Sequence, residues 1–496
     1  MKLVLSLLLL SLASHAGIYH ILNDPIDALS ARYAVLTGAT QRIYSSKFIF
    51  HADDTGLASL ALIRAQARKM VNPDIRLIFD GGGPKFGTNV PPEILLHLED
   101  EGIQIKFFNN LMDKKNIAKN ILKGRLKDGI INRMHDKLFI VDSEYLLTGG
   151  RNIESTYFSI VKEGTYVDRD VLVTGPAVSK AQEHFLKYWD SPITTKAAYS
   201  TMTTLHCWNE YKITSLKACK KKMKIKGKYL LDVKEKLIKG YMKDFKISGK
   251  YKEGILLEKK YNDDIEVEFI SDTLEEDGLT YKSQVGPRVL EILKNAKSHI
   301  VIESPYLIAT DNFSKAVDNL LKKGVEIKIL TNSLSSIDGL EVFAGYAKHR
   351  ARLMKLGTPK NRLKIYEYYG AHLGSPHGKT IHSKSVSIDD EYAIIGSYNL
   401  DKLSEFHNSE VGVIALSCDK SVELREYIEE RSQFTYQVGD DGIPCPPGVC
   451  KVNEKGEFVG GTIAHPFASK EKLEKLEDKL FWITLPVIGN KIERIL

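Results

Sequence analysis

HDKLFIVDSEYLLTGGRN, from His135 to Asn152, recurs as HSKSVSIDDEYAIIGSYN, from His382 to Asn399, at a fixed offset of 247 residues and without a gap. Identity is kept at His135/His382, Lys137/Lys384, Asp142/Asp389, Glu144/Glu391, Tyr145/Tyr392, Gly149/Gly396 and Asn152/Asn399. One H-x-K-x4-D string in a lysine-rich chain is weak evidence. Two strings in register as far as the Asn are a duplication.

Each His lies two residues before its Lys on a segment that continues as an apolar strand, so both side chains leave the same face. The strand ends at the Asp, turns, and returns as YLLTGG or YAIIGS, delivering Asn152 or Asn399 near the next helix. Each half thus offers an imidazole, an ammonium and an amide. Together, His135, Lys137, Asn152, His382, Lys384 and Asn399 suit a phosphodiester: lysines and amides donate to the non-bridging oxygens. One imidazole can attack phosphorus while the other handles the proton. Asp142 and Asp389 are expected first to brace the hairpins, while their regular spacing leaves a direct role open and keeps them in the candidate catalytic set. Asp170 in DRDVLVTG and Glu410 in NSEVGVIAL are the carboxylates expected to accept from the far ring nitrogens and fix the tautomers. Cationic side chains already fill the electrostatic role of a divalent ion, so no metal or other cofactor is expected.

Outward from the signatures, strands alternate with helices in both halves. IYSSKFIF (43–50), IRLIF (75–79) and IQIKFF (103–108) alternate with helical patterns near 57–71 and 91–101. HIVIESPYLI (299–308), VEIKIL (325–330) and LKIYEYY (363–369) alternate with helices near 312–323 and 342–356. That order predicts α/β layers with a mainly parallel sheet, twice. At 496 residues and 43% apolar composition the chain can fill two such cores. The expected boundaries are a signal peptide at 1–16, a first domain at 17–200, a Lys-rich insert at 201–281, a second domain at 282–436 and an extension at 437–496.

Met1-Lys2, a Leu-rich run to Leu12 and small residues before Ala16 read as an export signal. The run is too short to span a membrane, which needs about 20 apolar residues. An exported protein, periplasmic or secreted and peripherally bound to membranes, is expected. In an oxidising compartment Cys207/Cys219 and Cys445/Cys450 can each close a short loop, leaving Cys418 over. The net charge of +7 suits an anionic partner. Much of the excess lies in the insert, where Lys220, Lys221, Lys222 and Lys224 are candidates for contact with an anionic membrane surface, against the plainer reading of a solvated linker or an exposed β or helical insertion. The apolar end LFWITLPVI (480–488) either packs on the core or meets a membrane interface.

The extended signatures, GGRNIESTYF and GSYNLDKLSEFHNSE among them, resemble the phospholipase D superfamily over most of residues 25 to 440. Within it the chain is most similar to bacterial cardiolipin synthases and phospholipase D-like proteins without transmembrane helices, through RMHDKLFIVD, RDVLVTGPAV, LKYWDS and the closing LPVIGNKIERIL. The resemblance implies a bilobal fold of two duplicated α/β/α domains, with mixed, largely parallel sheets and one active site at their interface. It implies a phospholipid substrate and transfer of a phosphatidyl group through a phosphohistidine, to water or to an alcohol. It also implies His135 as nucleophile and His382 as acid, although the residues themselves are symmetric in this respect. A two-signature chain needs no partner to complete its site, so a monomer is the default. The alternative is an exported nuclease of the same superfamily. Aromatic residues are not interleaved with the basic run as single-strand binders use them, which disfavours nucleic acid.

Overall fold

The computed structural model describes residues 16–82, 88–110, 132–161, 165–196, 206–244, 265–276, 278, 280–356, 362–440, 442–445, 451–452 and 458–459. Residues 1–15 of the expected signal peptide, residues 201–205 and 245–264 of the insert and the apolar stretch 480–488 lie outside them. The chain forms two compact units that are not two linear halves. The first comprises Met1–Val161, Asp170–Lys282 and His407–Val413; the second comprises Lys162–Arg169, Ser283–Phe406 and Ile414–Leu496. The insert folds with the first unit, and each unit takes a short segment that follows the other half's signature.

In the first unit, β1 (Tyr19–Leu22), α1 (Pro25–Gly38), β2 (Arg42–Lys47), α2 (Asp54–Ala67), β3 (Asp74–Asp80), α3 (Pro92–Asp100) and β4 (Gln104–Phe108) lead to the hairpin β5 (Lys137–Val141) and β6 (Tyr145–Gly149). Strand β7 (Tyr166–Val167) belongs to the second unit. Then follow β8 (Asp170–Val173), α4 (Pro176–Trp189), β9 (Thr194–Lys196), α5 (Leu216–Asp244) and β10 (Ile265–Ser271). Helix starts are set locally. Asp24 accepts from the N–H groups of Ile26 and Asp27 at 2.8 and 2.9 Å, and Asp53 accepts from Gly56 at 3.1 Å. The sheet runs β9-β4-β3-β2-β5-β6-β8-β1. β2, β3 and β4 are parallel because helices cross between them, while the hairpin β5-β6 returns antiparallel beside β2. Strands β5 and β6 are buried almost throughout, which is why they read as apolar runs.

The second unit repeats the plan. α6 (Val285–Lys294), β11 (His299–Glu303), α7 (Asp311–Lys322), β12 (Glu326–Asn332), α8 (Leu340–Leu353) and β13 (Leu363–Tyr368) precede β14 (Thr380–Ile381) and the hairpin β15 (Ser385–Ile388) and β16 (Tyr392–Gly396). The strands run β16-β15-β11-β12-β13 and continue to β18 (Thr435–Val438) and β19 (Pro444–Cys445); β17 (Val411–Leu416) lies between β16 and β18 in the chain. β11, β12 and β13 are parallel, and β15 is antiparallel to β11, as β5 is to β2. Duplicated mixed α/β units are therefore present, with β2, β3 and β4 parallel in one and β11, β12 and β13 parallel in the other.

Among the described residues of the insert, the lysine-rich part forms the helix α5, one side of which packs on the first unit. The side of α5 that carries Cys219, Met223, Gly227 and Leu231 is buried, and Cys219 and Met223 cluster with Leu96 of α3. A Cβ at Gly227 would lie 2.1 Å from the Glu93 carbonyl oxygen, so only glycine permits that approach. Buried Arg64 of α2 donates to Asp232 and Glu235 of α5 at 2.7 and 2.9 Å. Burial opposes ionisation of Glu93, yet donors from Tyr211, Lys226 and His206 bring its carboxyl down to about 2. The disulfide Cys207–Cys219 ties the preceding segment to α5. Cys445 is also disulfide-bonded and Cys418 is free and exposed; Cys450 lies outside the described residues.

Candidate active site

In the first unit, His135 sits just before β5. Its N–H donates to the Ser409 carbonyl at 3.0 Å and the Ser409 N–H donates to the Arg133 carbonyl at 2.9 Å, so the 407–413 segment is laid against the signature. This brings fully buried Glu410 to His135, with Nδ1 at 2.9 and 3.0 Å from its carboxylate oxygens. Glu410 is itself anchored: its N–H donates to Asp272 at 3.0 Å, and the Asp272 N–H donates to the Glu410 carbonyl at 3.0 Å. A carboxylate on Nδ1 assigns the proton to that nitrogen and leaves the Nε2 lone pair for chemistry. The Phe48 ring meets the imidazole edge-on at 4.9 Å. Lys137 Nζ donates to the His135 carbonyl at 2.8 Å. Asn152 Nδ2 donates to Tyr157 Oη at 3.0 Å and its Oδ1 accepts from the Ile49 N–H at 3.3 Å.

Between His135 and Lys137, Asp136 forms a separate buried network. It accepts from Ser409 Oγ at 2.8 Å and contacts His184 Nε2 at 2.7 Å, while Tyr188 donates to Ser409 at 2.6 Å. Lys47 pairs with Lys137 across β2 and β5 and is fully buried. Burial, then the charge of Arg32, hold its amine well below the usual lysine range despite Asp170, and Lys137 adds to the effect.

The second unit builds a matching arrangement from different chain segments. β14 pairs in parallel with β7, and the His382 N–H donates to the Val167 carbonyl at 2.7 Å. That register places Asp168 Oδ2 at 2.7 Å from His382 Nδ1. Lys384 Nζ lies 3.0 Å from the same nitrogen and also donates to the His382 carbonyl. Burial first, and the Lys384 charge second, lower the His382 pKa below its ordinary 6.5, against the pull of Asp168. Tyr166 meets this imidazole edge-on at 5.5 Å. Asn399 is buried, and its Oδ1 has no hydrogen-bond partner among the described residues. Beneath the signature, Glu303 bonds to Arg169 at 2.8 Å and to Arg431 at 2.7 Å; although burial opposes ionisation, these two charges keep its carboxyl below the usual range.

Three expectations are corrected. Among the described residues Asp170 bonds to arginines and not to a histidine. Fully buried at the start of β8, it takes Arg32 Nη2 at 2.7 Å and Arg151 Nη1 at 3.3 Å. Asp168, two residues earlier, has the role expected of it. Both carboxylates stand before the same apolar strand, and only the two-residue pairing of β7 with β14 separates them, a feature too short to leave a periodic signal.

Asp142 and Asp389 belong to the scaffold rather than to the reacting groups. Asp142 accepts from the N–H groups of Thr40, Gln41 and Arg42 and from Thr40 Oγ1, at 2.7 to 2.9 Å. Asp389 accepts from the N–H groups of Lys297, Ser298 and His299 and from Ser298 Oγ, at 2.6 to 2.9 Å. Partial burial raises both carboxyls, but these donors outweigh it and hold them below 3.8. Each opens a turn with φ near +55° at two successive residues, Asp142-Ser143 and Asp389-Asp390 (φ 53, 59, 56 and 52°), a conformation that Asp tolerates.

The four insert lysines do not share one surface. Lys221 and Lys222 are exposed, whereas Lys220 and Lys224 are half-buried and Lys224 pairs with Asp100. Asp272, Ser409, Asp136 and His184, which position the first signature, carried no signal in the sequence, because their partners lie far away along the chain.

A family model described as "Cardiolipin synthase, PLD-like domain" matches residues 33–189 and again 289–431, so that it takes in both signatures. The chain belongs to this family. Among its relatives, Cardiolipin synthase C of Escherichia coli K12 is 26% identical over 435 residues, covering 83% of this chain and 83% of the relative. An uncharacterised protein of Helicobacter pylori 26695 is 25% identical over 435 residues, covering 84% and 80%. The crystal structure of phosphatidylserine synthase from Haemophilus influenzae shares the fold, with a TM-score of 0.58 at 12% identity over 98% of both chains. No helix among the described residues is long and apolar enough to cross a membrane, and no cluster of potential metal ligands occurs among them.

Proposed function

We propose that the protein is a phospholipid phosphodiesterase or phosphatidyltransferase acting through a phosphohistidine, by cardiolipin synthase-like transfer or by phospholipase D hydrolysis. The observation that carries the reading is the repeated buried triplet of carboxylate, histidine Nδ1 and lysine: Glu410, His135 and Lys137 in one unit, Asp168, His382 and Lys384 in the other. The names of the relatives supply the lipid.

In the first step the Nε2 lone pair of one histidine forms a bond to phosphorus as the phosphorus–oxygen bond to the leaving alcohol breaks. The other histidine gives its proton to that oxygen. In the second step the acceptor hydroxyl, from water or an alcohol, passes its proton to that same histidine and attacks phosphorus, releasing the first imidazole. The carboxylates stabilise the imidazolium forms and hold the tautomers, while Lys137 and Lys384 offset phosphate charge. The depressed pKa of His382 favours its neutral form in the free protein. The resemblance nonetheless suggests His135 as nucleophile, so trapping must decide between them. Export to an oxidising compartment is part of the reading, supported by the Cys207–Cys219 disulfide.

The test is to incubate the protein with phosphatidylglycerol, phosphatidylethanolamine or phosphatidylcholine, with and without glycerol, and separately with plasmid DNA in EDTA. Cardiolipin identifies transfer, and phosphatidic acid alone identifies hydrolysis. Nicked DNA without a lipid product establishes the nuclease alternative. His135→Ala and His382→Ala should each abolish turnover, and only the variant that keeps the nucleophile should retain acid-labile phosphate on the protein.

A further inference from the structure

The outward face of α5 carries an apolar stripe among its lysines, where a helix docked on a soluble unit would be expected to be polar throughout. With one side of the helix held against α2 and α3, Ile225, Tyr229 and Val233 follow one another at i, i+4 and i+8 on the other side, 62%, 67% and 39% exposed. Such a stripe needs cover or an apolar environment. Lys217, Lys221, Lys222, Lys228 and Lys236 are exposed around it. The acidic residues of the stretch 216–236, Asp232 and Glu235, are both engaged by Arg64. Trp208, 54% exposed, adjoins the cysteine that the disulfide fixes to the helix.

We infer that α5 is a membrane-docking element that lies along an anionic lipid surface, with Ile225, Tyr229 and Val233 entering the interface and the flanking lysines reaching to headgroups. Several observations favour a bilayer. The stripe is narrow and linear, its rim is mainly cationic although Lys228 is paired with the half-buried Asp232, and long lysine side chains can lie beside apolar groups while their ammonium groups meet phosphate. The docked face needs no rearrangement, because its own contacts already consume Cys219, Met223 and Leu231. This goes beyond the proposed chemistry, and binding can be measured without turnover, so either can fail alone.

The full disulfide-bonded chain is sedimented with phosphatidylcholine vesicles, with and without 30% phosphatidylglycerol, at about 50 mM and 500 mM salt. Lys217→Gln/Lys221→Gln/Lys236→Gln should weaken binding to the anionic vesicles about 100-fold at low salt, at about fivefold per lysine, and by much less at high salt. Ile225→Ser/Tyr229→Ser/Val233→Ser should remove the binding that persists at high salt. Hydrolysis of the soluble ester bis(4-nitrophenyl) phosphate should be unchanged in both, which shows that the variants are folded. Wild-type affinity for anionic vesicles in both variants overturns the proposal. So does duplex DNA binding that falls with the lysine changes while vesicle binding stays constant.

Discussion

Asp168 and Asp170 stand two residues apart, both fully or almost fully buried, and exchanging each for Asn should produce opposite defects. In Asp170→Asn the guanidinium groups of Arg32 and Arg151 lose the carboxylate that they share at 2.7 and 3.3 Å. Breaking a buried pair by removing one partner costs about 3–5 kcal/mol. At about 2–4 °C per kcal/mol for a unit of 150–250 residues, the melting temperature should fall by about 6–20 °C. Turnover per folded molecule should stay within a few-fold, since Asp170 touches no reacting group. In Asp168→Asn an amide replaces the acceptor 2.7 Å from His382 Nδ1. The imidazole is then free to carry its proton on Nε2, where the lone pair or transferable proton is required, and turnover should fall by about 10²–10⁴. The loss of stability should stay within about 1–3 kcal/mol, the range for one unmet hydrogen bond. Differential scanning calorimetry and turnover of a soluble diester measure the two effects separately. An Asp168→Asn protein with full activity, or an Asp170→Asn protein that melts normally but is inactive, would refute the assignment.

Three further outcomes are expected. His382, followed by the NMR titration of its Cε1 proton, should titrate below 6.5, and Lys384→Gln should raise that value by removing the neighbouring charge; because the unfolded chain binds the proton first, stability should be lost as pH falls below 6.5 toward the folded value. Asp142→Ala and Asp389→Ala should each cost about 2 kcal/mol in urea unfolding while the folded fraction stays active. Their contribution is present above 3.8 and lost as pH falls through the lower folded values, and inactivity without destabilisation would return them to the chemistry. Lys47→Met should raise the melting temperature at pH 7, where burial penalises the ammonium, and the gain should shrink as pH approaches 10.5; a destabilised variant would show that the amine is satisfied in place.

The duplication, the α/β plan and the candidate reacting groups were legible in the sequence. Histidine, lysine and asparagine at fixed spacing on a strand and hairpin are local features, and local geometry sets which face they share. The helix and strand order was readable for the same reason: apolar periodicity records burial within each element. Which carboxylate meets which histidine was not local. Glu410 reaches His135 across 275 residues and Asp168 reaches His382 across 214, and both contacts depend on short segments grouped with the other half's signature. The competition between Asp168 and Asp170 was settled by Arg32 and Arg151, which claim one carboxylate, and by a two-residue strand pair that presents the other. The lysine-rich insert shows the same division. Its charge was plain in the sequence, but which lysines are spent on Asp100 and Glu93, and which stand beside an exposed apolar stripe, was decided only when α5 packed against α2 and α3.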